Sequence, residues 1–186
     1  MGHPLHILAI SGSLRVASSN TAVLQALTTV APADVMITLY DQLAALPYFN
    51  PDLDRETDTP PPSVRELRAR IGRADDILIS SPEYAHGVPG VLKNALDWLV
   101  SSLEFPGKPM ALINISPRSI YVQASLSEIL TTMSATLVDD AAFSIALPRN
   151  RLDVAAMLAD SAIAEALRTA LDTFVRALSI RQAAGD

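Results

Sequence analysis

Leu5-His6-Ile7-Leu8-Ala9-Ile10, running into Ser11-Gly12-Ser13 and then Leu14-Arg15-Val16-Ala17-Ser18-Ser19-Asn20, decides how the rest of the chain reads. A short apolar run with a β-branched end, stopped by Ser-Gly-Ser, is a buried strand that enters a loop. Beyond that loop Ala22, Val23, Ala26, Leu27 and Val30 fall at helical spacing, with Ser18, Ser19 or Asn20 available as the N-cap and Pro32 marking the end. The first unit is therefore strand, polar turn, helix, and the same unit recurs. Val35–Tyr40 alternates and is β-branched, so it is a second strand; the proline-rich segment 41–62 that follows is an irregular excursion over the surface, a functional rim or partner-facing loop rather than a domain linker. Ser63 and Glu66 have capping-box spacing ahead of the stripe Val64, Leu67, Ile71 and Ala74. Asp76–Ser80 is the third strand, Val88–Leu103 the third helix, Met110–Ile115 the fourth strand and Val122–Met133 the fourth helix. Leu137-Val138 or Phe143–Leu147 supplies the fifth strand, and Ile163, Leu167, Leu171, Phe174 and Leu178 mark a long amphipathic terminal helix. Alternating βα units with near-continuous apolar strands imply an α/β fold, a doubly wound five-stranded parallel sheet with helices on both faces, in one domain spanning 1–186.

Composition narrows the chemistry. The 186 residues contain no cysteine, so disulfides, Cys-ligated metal centres and a thiol nucleophile are excluded. Fourteen Lys and Arg against twenty Asp and Glu give a net charge of −6, with no basic run, which argues against nucleic acid and anionic lipid as partners. The three histidines, His3, His6 and His86, have no metal-ligand spacing, so no metal site is expected. Neither a leader-like amino end nor a stretch of about eighteen apolar residues occurs, so the expectation is a cytoplasmic protein without a membrane span.

In a doubly wound sheet the ligand lies beyond the carboxyl ends of the strands. Three loops qualify: 11–20, 81–89 and 116–121. The first crowds serine hydroxyls, the Asn20 amide and the Arg15 guanidinium immediately before a helix, where free N–H groups and the helix dipole attract an anion. The same residue types also serve as ordinary caps and turn formers. G-x-G-x-x-G is absent after the first strand and G-x-x-x-x-G-K-[ST] is absent throughout, which disfavours a tightly held dinucleotide or ATP. The missing G-x-S-x-G and scarce histidine likewise disfavour a serine hydrolase.

Ser81-Pro82-Glu83-Tyr84, followed by Pro89-Gly90-x-Leu92-Lys93-Asn94-Ala95-x-Asp97-Trp98 and preceded by Gly12-Ser13-Leu14-Arg15-x-x-Ser18-x-Asn20, resembles the NADPH-dependent FMN reductase family of flavodoxin-like proteins. The resemblance implies sheet order 2-1-3-4-5, FMN as cofactor, and NADPH or NADH as co-substrate. It further implies hydride transfer through FMN to a quinone, azo compound, metal oxyanion or free flavin, by a homodimer or homotetramer. Carried over by position, Ser11, Ser13, Arg15, Ser18, Ser19 and Asn20 would surround the FMN phosphate. Pro82, Glu83 and Tyr84 would lie against the isoalloxazine, with backbone groups of Glu83, Tyr84, Ala85, His86 and Gly87 at its polar edge. The flavin carries the reaction, so no protein acid, base or nucleophile is implied.

Two departures stand out. Ala85 replaces the usual asparagine and His86-Gly87 a small polar pair, leaving His86 to face either the flavin or solvent. The loop Ser116-Pro117-Arg118-Ser119 lacks the glycines common in relatives. Ser116 and Arg118 remain candidates for the ring, with Arg118 stabilising reduced flavin, attracting the NADPH phosphate or forming a surface salt bridge. Trp98 reads as helix packing rather than a flavin-stacking group, and Lys93 with Asp97 as an intrahelical pair. The alternative to a reductase is a flavodoxin-type carrier that does not oxidise NAD(P)H directly.

Overall fold

Strands β1 (Leu5–Ser11), β2 (Val35–Tyr40), β3 (Asp76–Ser80) and β4 (Pro109–Asn114) form where the sequence has its apolar runs, and they pair in parallel. The computed structural model describes residues 4–55, 59–138, 143–145, 147 and 153–184; His3 and Ala146 lie outside the described residues. Register is set by the apolar residues: Ile7 stands beside Ile37 on one neighbour and Asp76 on the other, and Ile79 beside Leu112. The order is β2-β1-β3-β4, with the fifth position shared by two short strands, β5 (Thr136–Leu137) and β6 (Phe143–Ser144). β5 pairs with Pro109–Met110 and β6 with Ile113–Asn114, so both expected segments lie on one edge of β4.

Consecutive strand residues face opposite ways, which divides the core. Ile7, Ala9, Leu78 and Ile113 pack under α1 (Ser19–Val30), α5 (Val154–Ala159) and α6 (Ser161–Ala184). Leu8, Ile10, Ile79 and Leu112 pack under α2 (Pro62–Arg73), α3 (Gly90–Asp97) and α4 (Ile120–Thr132). No helix among the described residues is long and apolar enough to cross a membrane.

Several local expectations are corrected. α2 begins at Pro62 with Pro61 as N-cap, and no side chain caps it. Proline's fixed φ starts the helix at its first position, so Ser63 is already helical; Glu66 instead accepts from Arg70 Nε at 2.8 Å. α3 stops at Asp97 rather than Leu103. The Trp98 carbonyl, which a continuing helix would offer to Ser102, accepts from Arg68 Nε at 3.1 Å and Nη2 at 2.6 Å, and Ser102 N–H turns to Leu99 O. α5 was not expected; Asp153 caps it through Ala156 N–H, and Asp160 then caps α6 through Ala162 and Ile163.

The 41–55 part of the excursion is tied down rather than free. Pro47 O accepts from Trp98 Nε1 at 2.8 Å and Asn94 Nδ2 at 2.9 Å, while Asn94 Oδ1 accepts from Phe49 N–H at 2.8 Å. Trp98 is fully buried, edge-on to Phe49 at 5.1 Å, which is the packing role expected of it. The expected Lys93–Asp97 pair also forms.

Candidate cofactor site

β1, β3 and β4 end at one side of the sheet, and their loops enclose a cleft of about 810 Å³. From the first loop Ser13, Arg15, Ser18, Ser19 and Asn20 line it. Ser11 does not: it is buried, its hydroxyl 2.8 Å from Thr21 Oγ1, and it accepts weakly from Ser13 N–H at 3.4 Å. As the last residue of β1 it shapes the loop from behind.

α1 presents its donors to this cleft. Ser18 Oγ accepts from Thr21 N–H at 3.3 Å and Ser18 O from Ala22 N–H at 2.9 Å. That leaves the N–H groups of Ser19 and Asn20 with no acceptor within the helix, as the first turn of any helix requires. The buried Ser80 hydroxyl donates to Asn20 Oδ1 at 2.9 Å, which engages the amide oxygen and leaves the amide NH₂ as the donor at the cleft. Gly12 lets the first two loops touch. Its N–H reaches Ser80 O at 2.8 Å, and a Cβ there would stand 2.6 Å from Ser81 Oγ and 3.1 Å from Leu92 Cδ2. Without a side chain the backbone can make that approach.

From the second loop Pro82, Glu83 and Tyr84 line the cleft, with Ser81. The Glu83 carboxylate is engaged: Oε2 accepts from Tyr121 N–H at 2.8 Å and Val122 N–H at 3.0 Å. It caps α4, whose preceding residue Ser119 makes no side-chain cap, and it places a negative charge where the helix dipole favours one. Ala85, His86 and Gly87 stand outside the cleft. Tyr84 and Gly87 exchange hydrogen bonds, Tyr84 N–H to Gly87 O at 3.2 Å and Gly87 N–H to Tyr84 O at 3.0 Å, around two left-handed residues, Ala85 at φ 48° and His86 at φ 58°. Such a turn suits glycine or asparagine, and each side chain held there costs about 1–2 kcal/mol. His86 faces neither the cleft nor open water alone: its ring stacks on Tyr121, centroids 4.2 Å apart and 15° from parallel.

From the third loop Ser116 and Arg118 line the cleft, with Pro117 and Ser119. Ser116 N–H donates to Asn114 Oδ1 at 3.0 Å and Ser116 O accepts from Ser119 N–H at 3.0 Å, which closes the turn without glycine. Among the described residues neither Arg15 nor Arg118 forms an ion pair, whereas Arg55, Arg68, Arg70, Arg73 and Arg168 all do. Among the described residues, the surface salt bridge considered for Arg118 is therefore not formed. Ser81 and Ser119 stand in the quoted motifs without a site role of their own, and Ser80 reads there only as the end of a strand. A serine closing an otherwise apolar strand was the available signal for Ser80.

The arrangement offers free helix N–H groups, hydroxyls, one oriented amide and two free guanidinium groups to an anion, on the side of the sheet where a flat group can lie between three loops. Comparison with known proteins agrees with that chemistry. The model of the NADPH-dependent FMN reductase family matches residues 5–148. The quinone reductase of Escherichia coli K12 is 33% identical over 159 residues, covering 82% of this chain and 84% of that protein. An NAD(P)H-dependent FMN reductase of Pseudomonas aeruginosa is 32% identical over 186 residues, covering 96% and 99%. Among solved structures, the flavoenzyme NAD(P)H:(acceptor) oxidoreductase FerB from Paracoccus denitrificans superposes with a TM-score of 0.75 at 28% identity, covering 94% of this chain and 97% of that one. An archaeal flavodoxin, TM-score 0.57 at 13% identity, shares the fold alone. With sheet order 2-1-3-4-5 and this match across most of its length, the chain belongs to the NADPH-dependent FMN reductase family and is a flavodoxin-like, FMN-dependent NAD(P)H oxidoreductase.

Proposed function

We propose that the three-loop cleft holds FMN by its phosphate end at α1 and that the enzyme passes the reducing equivalents of NAD(P)H to a quinone-type acceptor. The observation that carries this reading is the set of unpartnered donors at one place: the Ser19 and Asn20 N–H groups, the Asn20 amide and the Arg15 and Arg118 guanidinium groups, all at the cleft. About 810 Å³ lies within the range of about 300–1,000 Å³ usual for small-molecule sites. Ser13, Ser18 and Ser19 add neutral donors, and Ser11 acts behind them through Thr21. Bound FMN would supply hydride acceptance from NAD(P)H and donation to the oxidant. The chain's own residues bind and orient: Pro82, Glu83 and Tyr84 present backbone and a flat wall, and Glu83 keeps the third loop beside the second through α4. Ala85, His86 and Gly87 shape that wall from outside, while Ser116 and Arg118 close the far side.

Quinone as acceptor rests on the relatives named quinone reductases, including a 2-hydroxy-1,4-benzoquinone reductase from Burkholderia at 31% identity. Exposed Leu14 and Val16 on the first loop, with Ile120 and Tyr121 in the first turn of α4, support a homodimer or homotetramer with a second copy against this end of the sheet. Residues 1–186 act as one domain, since Leu167, Leu171 and Phe174 of α6 join the same core as Ile7 and Ile113. The cytoplasm, where NAD(P)H is regenerated, is the proposed compartment.

Anaerobic titration of FMN-loaded protein with NADPH and, separately, NADH tests this reading. The visible flavin band should bleach without a second protein and return on adding 1,4-benzoquinone. A protein that takes up no FMN, or whose band survives both nucleotides, overturns the reading; the second result is that of a carrier.

A further inference from the structure

We propose that His86 is a positioning residue for the cleft-lining segment 82–84, acting through its stack on Tyr121. The inference deepens the cofactor site proposed above and rests on it. Three observations converge. First, Ala85 and His86 are non-glycine residues held at positive φ, and the turn they make is closed by only the paired Tyr84–Gly87 bonds. Second, the His86 ring lies nearly parallel to Tyr121, which belongs to a different element, the first turn of α4. Third, Glu83, one residue before the hairpin begins, is anchored to Tyr121 and Val122 N–H on that same turn. The segment is thus fastened to α4 on both sides of Tyr84, a residue that lines the cleft.

Left-handed backbone at alanine and histidine does not persist without compensation from its surroundings. Tyr121 supplies it. With the stack removed, residues 85 and 86 relax toward negative φ in part of the population, and only the remainder presents Tyr84 and its neighbours in the binding geometry. Apparent affinity then falls in proportion to that remaining fraction. The stack of an aromatic pair sets the scale, about two- to tenfold in FMN affinity.

The test is FMN binding, followed by flavin fluorescence and the position of the visible band, in His86→Ala, His86→Phe, His86→Gly, Tyr121→Ala and the double Ala variant. We expect His86→Ala and Tyr121→Ala each to raise the FMN Kd about two- to tenfold and to shift the band, with the double variant no weaker than the weaker single one. His86→Phe keeps a ring for the stack and should restore both readouts. His86→Gly separates the strain from the ring: glycine tolerates the observed φ, so thermal stability should not fall, and FMN affinity should lie between those of wild type and His86→Ala. Wild-type affinity in His86→Ala, failure of His86→Phe to restore it, or additive effects in the double variant would each overturn the proposal while leaving the cofactor site intact. Wild-type protein that takes up no FMN overturns the site itself.

Discussion

Ser80 illustrates how a residue that touches no ligand can determine what a site offers. An asparagine amide presents either an acceptor or two donors, and a cleft for an anion needs the donors. The Ser80 hydroxyl, fully buried at the end of β3, fixes that choice by donating to Asn20 Oδ1. Ser80→Ala leaves that buried oxygen unpartnered and the amide free to turn. An FMN Kd about two- to tenfold weaker is the expected outcome, from a hydrogen bond of about 0.5–1.5 kcal/mol, together with a lower melting temperature. Unchanged affinity measured by flavin fluorescence would show that the amide does not contribute. The place of Asn20, Ser18 and Arg15 at the cleft was legible in the sequence because a cap-forming, donor-rich run before a helix announces itself. Ser80 was not, since a serine after an apolar strand also reads as a stop. Ser11 reads as a ligand residue for the same reason in reverse: a hydroxyl among Ser and Gly gives no clue to the side it faces, and here strand geometry turns it to Thr21.

Among the elements, the strands were the most legible, because the central ones, buried on both faces, are apolar nearly throughout and the edge strand alternates. Val35–Tyr40 and Asp76–Ser80 form with the expected bounds. Helix ends were less so, being decided by partners distant in sequence. α3 ends where Arg68 of α2 takes the Trp98 carbonyl, and no local pattern around residues 98–103 announces that contact. The same Arg68 binds both oxygens of Asp54 at 2.9 Å, and Ser101 Oγ joins Asp54 Oδ2 at 2.5 Å, so one guanidinium fastens the excursion to two helices. Burial pushes the Asp54 carboxyl upward, but hydrogen bonds from Arg68 and Ser101 and the guanidinium charge outweigh it and hold it below its ordinary 3.8. A carboxyl lowered on folding stabilises the protein fully above that ordinary value, and the contribution disappears as pH falls through the folded value. Asp54→Asn should therefore reduce stability at neutral pH by about 2–3 kcal/mol, less than the penalty for breaking a wholly enclosed pair. At this size that is a fall of about 4–12 °C in melting temperature. The gap between variant and wild type should narrow below pH 3.8. A pH-independent gap in thermal melts would assign the effect to packing instead of charge.

At the scale of the whole molecule, the net charge of −6 and the cleft act on an anionic cofactor with opposite signs and over different distances. Charge spread over a chain this long sits about 16 Å from the centre, and six excess charges repel a dianion there by about 3 kcal/mol in unscreened water. At physiological ionic strength about one seventh of that survives, because the distance is twice the Debye length of about 8 Å. A guanidinium about 4 Å from the same dianion attracts it by about 2 kcal/mol in water and keeps more than half of that under the same salt. Salt therefore removes repulsion faster than attraction. Wild-type FMN affinity should change by less than about threefold, and should not weaken, between about 10 mM and about 150 mM salt. In Arg15→Gln the local attraction shrinks while the long-range repulsion stays. Its affinity should be lower at every salt concentration and should tighten about three- to fivefold over the same range, a steeper response than wild type. Equilibrium binding followed by flavin fluorescence at fixed pH distinguishes the cases. Wild-type binding that weakens steeply with salt, as for a ligand drawn in by a basic surface, would mean that long-range attraction governs the site and that unpaired donors at α1 do not hold the anion against the field of the molecule.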